Sequence, residues 1–355
     1  MASQALAFTA LSQTGSPEFL HVYPAPLPPL GPSQVKIEFV VSPINIQDIL
    51  VLAGKYPVKP ATKVGDENAQ VPGYEGVAIV LEVGSGVAAL HVGDHVLPKE
   101  HGLGTWRTHA VVDASALVRI PHPQDPVFAS LLKMGYTPAY LLLRNMRYLK
   151  PGDWVIQNAA TGTIAQALVQ FARLMGVRTV SVVRDREDVG AAKARLRGLG
   201  VDVVLSESEM EALEQPLSAS RRIVLAVDSV FGASGTRIAN QLVAGGTYVS
   251  LGFLGGPGRP LDVTEALLFY RAIEFKGFRT SKELAAWGEG ERADLWAWML
   301  ELHERGELKA PEYEVTEWAV GGDEGVLEGA LVKAVERARG KEVGIPKQVI
   351  MFRRS

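Results

Sequence analysis

Ala159-Ala160-Thr161-Gly162-Thr163 is a turn of small residues between an apolar run, Trp154–Asn158, and Ile164, Leu168, Phe171, Leu174 and Met175 at helical spacing. A helix opened by such a turn points backbone N–H groups at an anion. In a strand–turn–helix unit that anion is commonly a dinucleotide pyrophosphate. Gly176 reads as a C-cap, and Thr179-Val180-Ser181-Val182-Val183 as a buried strand. The position about twenty residues on sorts the nicotinamide cofactors, and here it is Arg184 rather than an acid. With Arg186 it flanks Asp185, and a guanidinium fork can hold a 2′-phosphate in a bidentate way that lysine cannot. The reading is NADPH. The strict G-x-G-x-x-G pattern is absent, since only Gly162 stands in the turn with Ala160 and Ala165 near the other positions. The run Arg184-Asp185-Arg186 also reads as a solvated loop after a strand.

Other chemistries are excluded by residue type. The chain has no cysteine, which removes disulfides, iron–sulfur clusters, thiolate zinc sites and cysteine nucleophiles together. His91 and His95 have i, i+4 spacing, but Gly93-Asp94 makes that segment a turn, so they read as surface or structural histidines rather than metal ligands. With 36 basic and 39 acidic residues the net charge is −3, unlike the basic footprint of a nucleic-acid binder. No run of eighteen apolar residues suggests a membrane span. The N-terminus, MASQALAFTA, leads into a strand pattern with no visible signal or transit peptide.

The elements that must position these residues fall into two regions. Residues 1–124 are rich in turns and short alternating runs: Ala5–Thr9, Val35–Val40, Gly76–Val83, His95–Leu97 and Thr108–Val112. From Val127 to Leu143 the pattern is helical with a break at Pro138, followed by α/β alternation up to Phe275–Phe278. Ala293–Arg305 and Val326–Arg339 read as helices, and Gln348–Phe352 as a closing strand. The expected fold class is α/β. A doubly wound parallel (Rossmann) nucleotide domain, 125–281, is inserted in a β-rich, barrel-like domain formed by 1–124 plus 282–355.

That order resembles the medium-chain dehydrogenases/reductases, which implies that the β-rich domain is GroES-like and catalytic. Val71-Pro72-Gly73-Tyr74-Glu75-Gly76 resembles their P-G-x-E-G segment, Val92-Gly93-Asp94-His95-Val96 their V-G-D-x-V turn, and Leu149–Val155 their L-x-P-G-D-x-V lead. Zinc-dependent members carry a catalytic cysteine and a histidine where Tyr74 stands, so the metal expectation is none. Within the zinc-free branch, Gly54-Lys55-Tyr56-Pro57-Val58-Lys59-Pro60, Gly104-Thr105-Trp106-Arg107-Thr108, Val182–Arg186, Asn45-Ile46-Gln47-Asp48 and Lys347-Gln348-Val349-Ile350 together resemble the 2-enoyl thioester reductases of mitochondrial fatty acid synthesis.

The resemblance implies NADPH-dependent reduction of the α,β double bond of a trans-2-enoyl thioester, carried on CoA or acyl carrier protein. Tyr56 matches the family's catalytic tyrosine, which supplies a proton or stabilises the enolate. A phenol near pKa 10 is protonated at neutral pH and can donate to developing enolate charge. The matching cofactor positions are Thr161, Gly162, Thr163 and Ile164 at the pyrophosphate, and Arg184, Asp185 and Arg186 at the adenosine phosphate. Leu251, Gly252, Phe253, Leu254, Phe278, Arg279 and Thr280 match the nicotinamide side, and Lys347 a terminal lysine contact. Gly135 aligns with a family asparagine, so one cofactor hydrogen bond is not carried over. Arg279 replaces the tryptophan of a phenylalanine–tryptophan pair, and an unpaired guanidinium does not favour an apolar acyl chain. The resemblance further implies a homodimer and a mitochondrial setting, with a cytoplasmic one left open. Two alternatives remain at this point: a zinc-free quinone or enone reductase, including a pathway-specific enoyl reductase of secondary metabolism, and a non-catalytic NADPH-binding protein.

Overall fold

The computed structural model describes residues 3–353 apart from 13, 67, 257, 320–322 and 341–345. The chain divides into two compact units, Met1–Lys133 with Gly288–Lys341 and Ile345–Ser355, and Met134–Trp287. The divisions fall later than 124 and 281. The helix Pro126–Ser130 packs on the strands Gln34–Pro43 and Val77–Val83, which draws it into the first unit.

In the first unit the long strand Gln34–Pro43 alternates half-buried and buried residues, the period-2 signature of a sheet with one wet face. It stands at the centre of a seven-stranded sheet, between Lys347–Arg353 and Val77–Val83, and also pairs with His109–Asp113. Tyr313–Ala319 joins as a parallel neighbour of Lys347–Arg353. A second, four-stranded sheet contains Leu20–Pro24, Gln4–Phe8, Ala69–Gln70 and Lys63–Val64. The core gathers Phe39, Tyr74, Trp106, Trp318 and Phe352, with Tyr56 packed partly buried against it.

In the second unit six strands run parallel in the order Val203–Ser206, Arg178–Val183, Trp154–Gln157, Ile223–Asp228, Thr247–Ser250, Glu274–Gly277. Ile223–Asp228 is buried at every position, as a strand covered on both faces must be. The first strand in sequence, Trp154–Gln157, lies beside the fourth, Ile223–Asp228. The strand order therefore reverses between these two, which is where open α/β sheets hold their ligands.

Candidate active site

The turn and the arginine run that the sequence offers to a dinucleotide lie at the C-terminal ends of the second unit's strands. Trp154–Gln157 ends in Asn158 and Ala159, and the chain turns through Thr161 and Gly162 into the helix Thr163–Leu174. Ala159 holds a positive φ of 48°, and Gly162 donates back to the Ala159 carbonyl at 2.9 Å. As N-cap, Gly162 provides no side-chain oxygen, so the first-turn amides of Thr163 and Ile164 are left without a side-chain cap. Gln157, fully buried below the turn, donates to the Ala165 carbonyl at 2.9 Å and to Ser181 Oγ at 3.1 Å.

Arg184, Asp185 and Arg186 follow the strand Arg178–Val183 directly. Asp185 accepts from Ser208 N at 2.8 Å and Ser208 Oγ at 2.7 Å, so its carboxylate is tied to the helix Glu207–Glu211. Arg184 and Arg186 make no ion pair among the described residues. The run thus presents two uncommitted guanidinium groups beside a committed acid, a donor set that suits a phosphate.

Leu251, Gly252, Phe253 and Leu254 follow Thr247–Ser250. The amides of Leu251 and Leu254 donate to the carbonyls of Asp228 at 2.7 Å and Ser229 at 2.9 Å. The Phe253 ring meets Phe231 edge to face at 5.0 Å. Phe278 is buried and donates to the Ser250 carbonyl at 2.9 Å, while Arg279 is exposed and caps the short helix Thr280–Glu283. Gly135 is buried in the π-helical turn Leu132–Tyr136, just before the helix Thr137–Asn145.

Sequence reasoning missed the network that braces these loops. Asn158 Nδ2 donates to Asp228 Oδ1 at 2.6 Å and to Ser234 Oγ at 3.1 Å, and Asn158 Oδ1 accepts from Ser229 N at 2.8 Å. Tyr248 donates to Asp228 Oδ2, and Asp228 Oδ1 also accepts from the amides of Val230 and Phe231. Burial and Asp228 together hold the Tyr248 phenol above its ordinary range, so it stays a donor. Phe231 is held at φ 69°, a region that favours glycine. The polar residue closing each strand, Asn158 and Asp228, was the available signal.

Tyr56 and Lys347 belong to the first unit, whereas the other expected site residues belong to the second. Tyr56 lies just beyond the helix Ile46–Leu52, on the loop that starts at Gly54. It is half-buried, with its ring edge-on to Tyr74 at a centroid distance of 5.5 Å. Its hydroxyl makes no hydrogen bond among the described residues. Burial and the charge of Asp48 raise its pKa.

Lys347 begins the strand Lys347–Arg353 and donates to Asn45 Oδ1, and Asn45 Nδ2 donates to Glu75 Oε1 at 2.9 Å. Asp48 Oδ2 accepts from Asn45 N at 2.7 Å, while Oδ1 is buried with no partner among the described residues. Burial pushes the Asp48 carboxyl up to about 7 and lowers the Lys347 amine. Lys133, also buried, donates to the Glu100 carbonyl at 2.7 Å. Of the cluster of Asp48, Glu75, Lys133 and Lys347, only Lys347 was read from the sequence as a site residue. Lys133, inside the apolar run Leu131-Leu132-Lys133-Met134, carried a local signal. His95 packs against His122 with ring centroids 4.6 Å apart, and His91 is exposed beside Asp94.

Residues 31–122 match the alcohol dehydrogenase GroES-like domain family. Human mitochondrial enoyl-(acyl-carrier-protein) reductase is 36% identical over 283 residues, covering 79% of this chain and 73% of its own. The mitochondrial enoyl-(acyl-carrier-protein) reductase of Arabidopsis thaliana is 31% identical over 330 residues, covering 92% of this chain and 83% of its own. Among solved structures, the mitochondrial 2-enoyl thioester reductase heterodimer of Candida tropicalis superimposes with a TM-score of 0.87 at 26% identity, covering 99% of this chain and 100% of that one. Etr1p, named in that heterodimer, solved in complex with NADP and crotonyl-CoA, gives the same score, identity and coverage.

Proposed function

Since the chain belongs to the enoyl-(acyl-carrier-protein) reductase family of the medium-chain dehydrogenases/reductases, we propose that it reduces the α,β double bond of a trans-2-enoyl thioester with NADPH. The observation that carries this reading is Tyr56, a protonated phenol with an uncommitted hydroxyl on a surface loop. NADPH, when bound, supplies the hydride for the β carbon. Thr161, Gly162, Thr163 and Ile164 would hold its pyrophosphate at the helix N-terminus, and Arg184 and Arg186 would hold its 2′-phosphate. Asp185 keeps its carboxylate on Ser208 and out of the phosphate's way. Leu251–Leu254 and Phe278–Thr280 would line the nicotinamide side, with Gly135 contributing backbone only. Tyr56 donates a hydrogen bond to the thioester oxygen as enolate charge develops there. Lys347, which donates to Asn45 Oδ1, is the terminal lysine of the proposed cofactor set.

A substrate panel tests the reading. Trans-2-enoyl-CoA is expected to drive NADPH oxidation with a higher kcat/KM than any quinone or enone; the reverse order would assign a quinone or enone reductase. We also place the enzyme in mitochondria, with its named relatives, and infer a homodimer. Glu274–Gly277 ends its sheet, and the neighbouring Leu268, Phe269 and Tyr270 are 54%, 77% and 72% exposed, an apolar patch fit for pairing. Sedimentation at monomer mass would contradict the homodimer, and an organelle fractionation without mitochondrial enrichment the location.

A further inference from the structure

Tyr74 has no part in the chemistry proposed above, yet it is fully buried against the residue that does. Its hydroxyl donates to the backbone carbonyl of Val58 at 2.5 Å, two residues beyond Tyr56. Its own backbone is locked in place. Gly73 adopts φ +97°, and a Cβ there would fall 2.3 Å from Thr105 Oγ1 and 2.6 Å from the Trp106 ring. The Glu75 carbonyl on the other side accepts from Ser42 Oγ and Thr105 Oγ1, each at 2.9 Å. The loop bearing Tyr56 is tied at its ends, by Lys55 N to the Leu50 carbonyl and Ala61 N to the Gly102 carbonyl, both 2.8 Å. Between those ties Tyr74 reaches the middle of the loop. Lys55, Val58 and Lys59 around it are exposed.

We propose that Tyr74 is a positioning residue for the reduction: its buried phenol pins the loop at Val58 and so fixes where the Tyr56 hydroxyl points. The proposal rests on the reading of Tyr56 as the hydrogen-bond donor to the substrate. Burial, Asp48 and Tyr56 all raise the Tyr74 phenol, so the pin stays a donor through any practical assay pH. Phenylalanine at this position keeps the edge-on ring packing but cannot donate. The Val58 carbonyl would then lose its phenol partner, and Tyr56 would sample more directions. Misplacement of a catalytic group by about 1 Å can cost ~100-fold in rate.

The test is a double-mutant cycle with trans-2-enoyl-CoA and NADPH, supported by limited trypsin digestion. Tyr74→Phe is expected to lower kcat by about 10- to 100-fold with KM within about threefold, at a melting temperature close to wild type. In the Tyr56→Phe background the same change is expected to cost nothing further, because the group being aimed is gone. Trypsin should cut native Tyr74→Phe after Lys55 several-fold faster than wild type, with other sites unchanged. Wild-type kcat in Tyr74→Phe, an equal loss in both backgrounds, or unchanged cleavage after Lys55 would overturn the proposal while leaving Tyr56 in its role. Full turnover in Tyr56→Phe would instead remove the reading on which the proposal rests.

Discussion

At the scale of single residues, the account turns on which polar groups are already committed. Asp185 is held by Ser208 whereas Arg184 and Arg186 are not ion-paired among the described residues, so the guanidinium groups are the ones available to a phosphate. Arg184→Ala is therefore expected to raise the KM for NADPH by about 10- to 100-fold, the value of a charge-assisted hydrogen bond. NADH should be affected less than threefold, and an equal loss on both cofactors would contradict the 2′-phosphate contact. Asp48 carries a different signature. Burial raises its carboxyl to about 7, against an ordinary value near 3.8. Between pH 4 and 7 the folded chain therefore binds more proton at this site than the unfolded chain does. Stability falls as pH rises through that window. Asp48→Asn removes the ionisation. The melting temperature of the variant minus that of wild type is expected to grow from pH 4 to pH 8, and a flat difference would contradict a raised buried carboxyl.

At the scale of elements, the turn and helix of the second unit were legible because hydrophobic spacing and small residues are local signals. The helix Thr163–Leu174 and the strands Arg178–Val183 and His109–Asp113 begin within two residues of their sequence reading. Tyr313–Ala319 was not legible: one of its seven residues is buried, and its definition comes from its parallel register with Lys347–Arg353. The two-residue strands Lys63–Val64 and Ala69–Gln70 likewise owe their existence to pairing. For the Asn158–Asp228–Tyr248 network the polar residues closing two strands were the local signal, but their pairing depends on strand order. It also depends on Gly235 in the helix Gly232–Ala239. A Cβ there would lie 2.1 Å from Asp228 Oδ2 and 2.9 Å from Tyr248 Oη. Gly235→Ala is expected to lower stability to urea by about 1–3 kcal/mol. A variant as stable as wild type would contradict that close approach.

At the scale of the whole molecule, the chain supplies the parts of the proposed reaction from two separately cored units. The first carries Tyr56 and the Asp48–Glu75–Lys347 cluster, and the second carries the dinucleotide turn and the arginine pair. The family and its fold were legible from short segments scattered over nearly the whole chain, and the human and Arabidopsis relatives match along most of it. The role proposed for Tyr56 rests on that resemblance, because a loop tyrosine beside a proline has no chemical signature by itself. Its surroundings add a physical reason: burial and Asp48 keep the phenol protonated, and no described residue occupies its hydroxyl. The most direct test is the steady-state rate of NADPH oxidation with trans-2-enoyl-CoA in wild type and Tyr56→Phe. The account predicts robust turnover in wild type and a kcat lowered by about 100-fold or more in the variant. No turnover of the enoyl thioester by wild type, or equal turnover by both proteins, would contradict it.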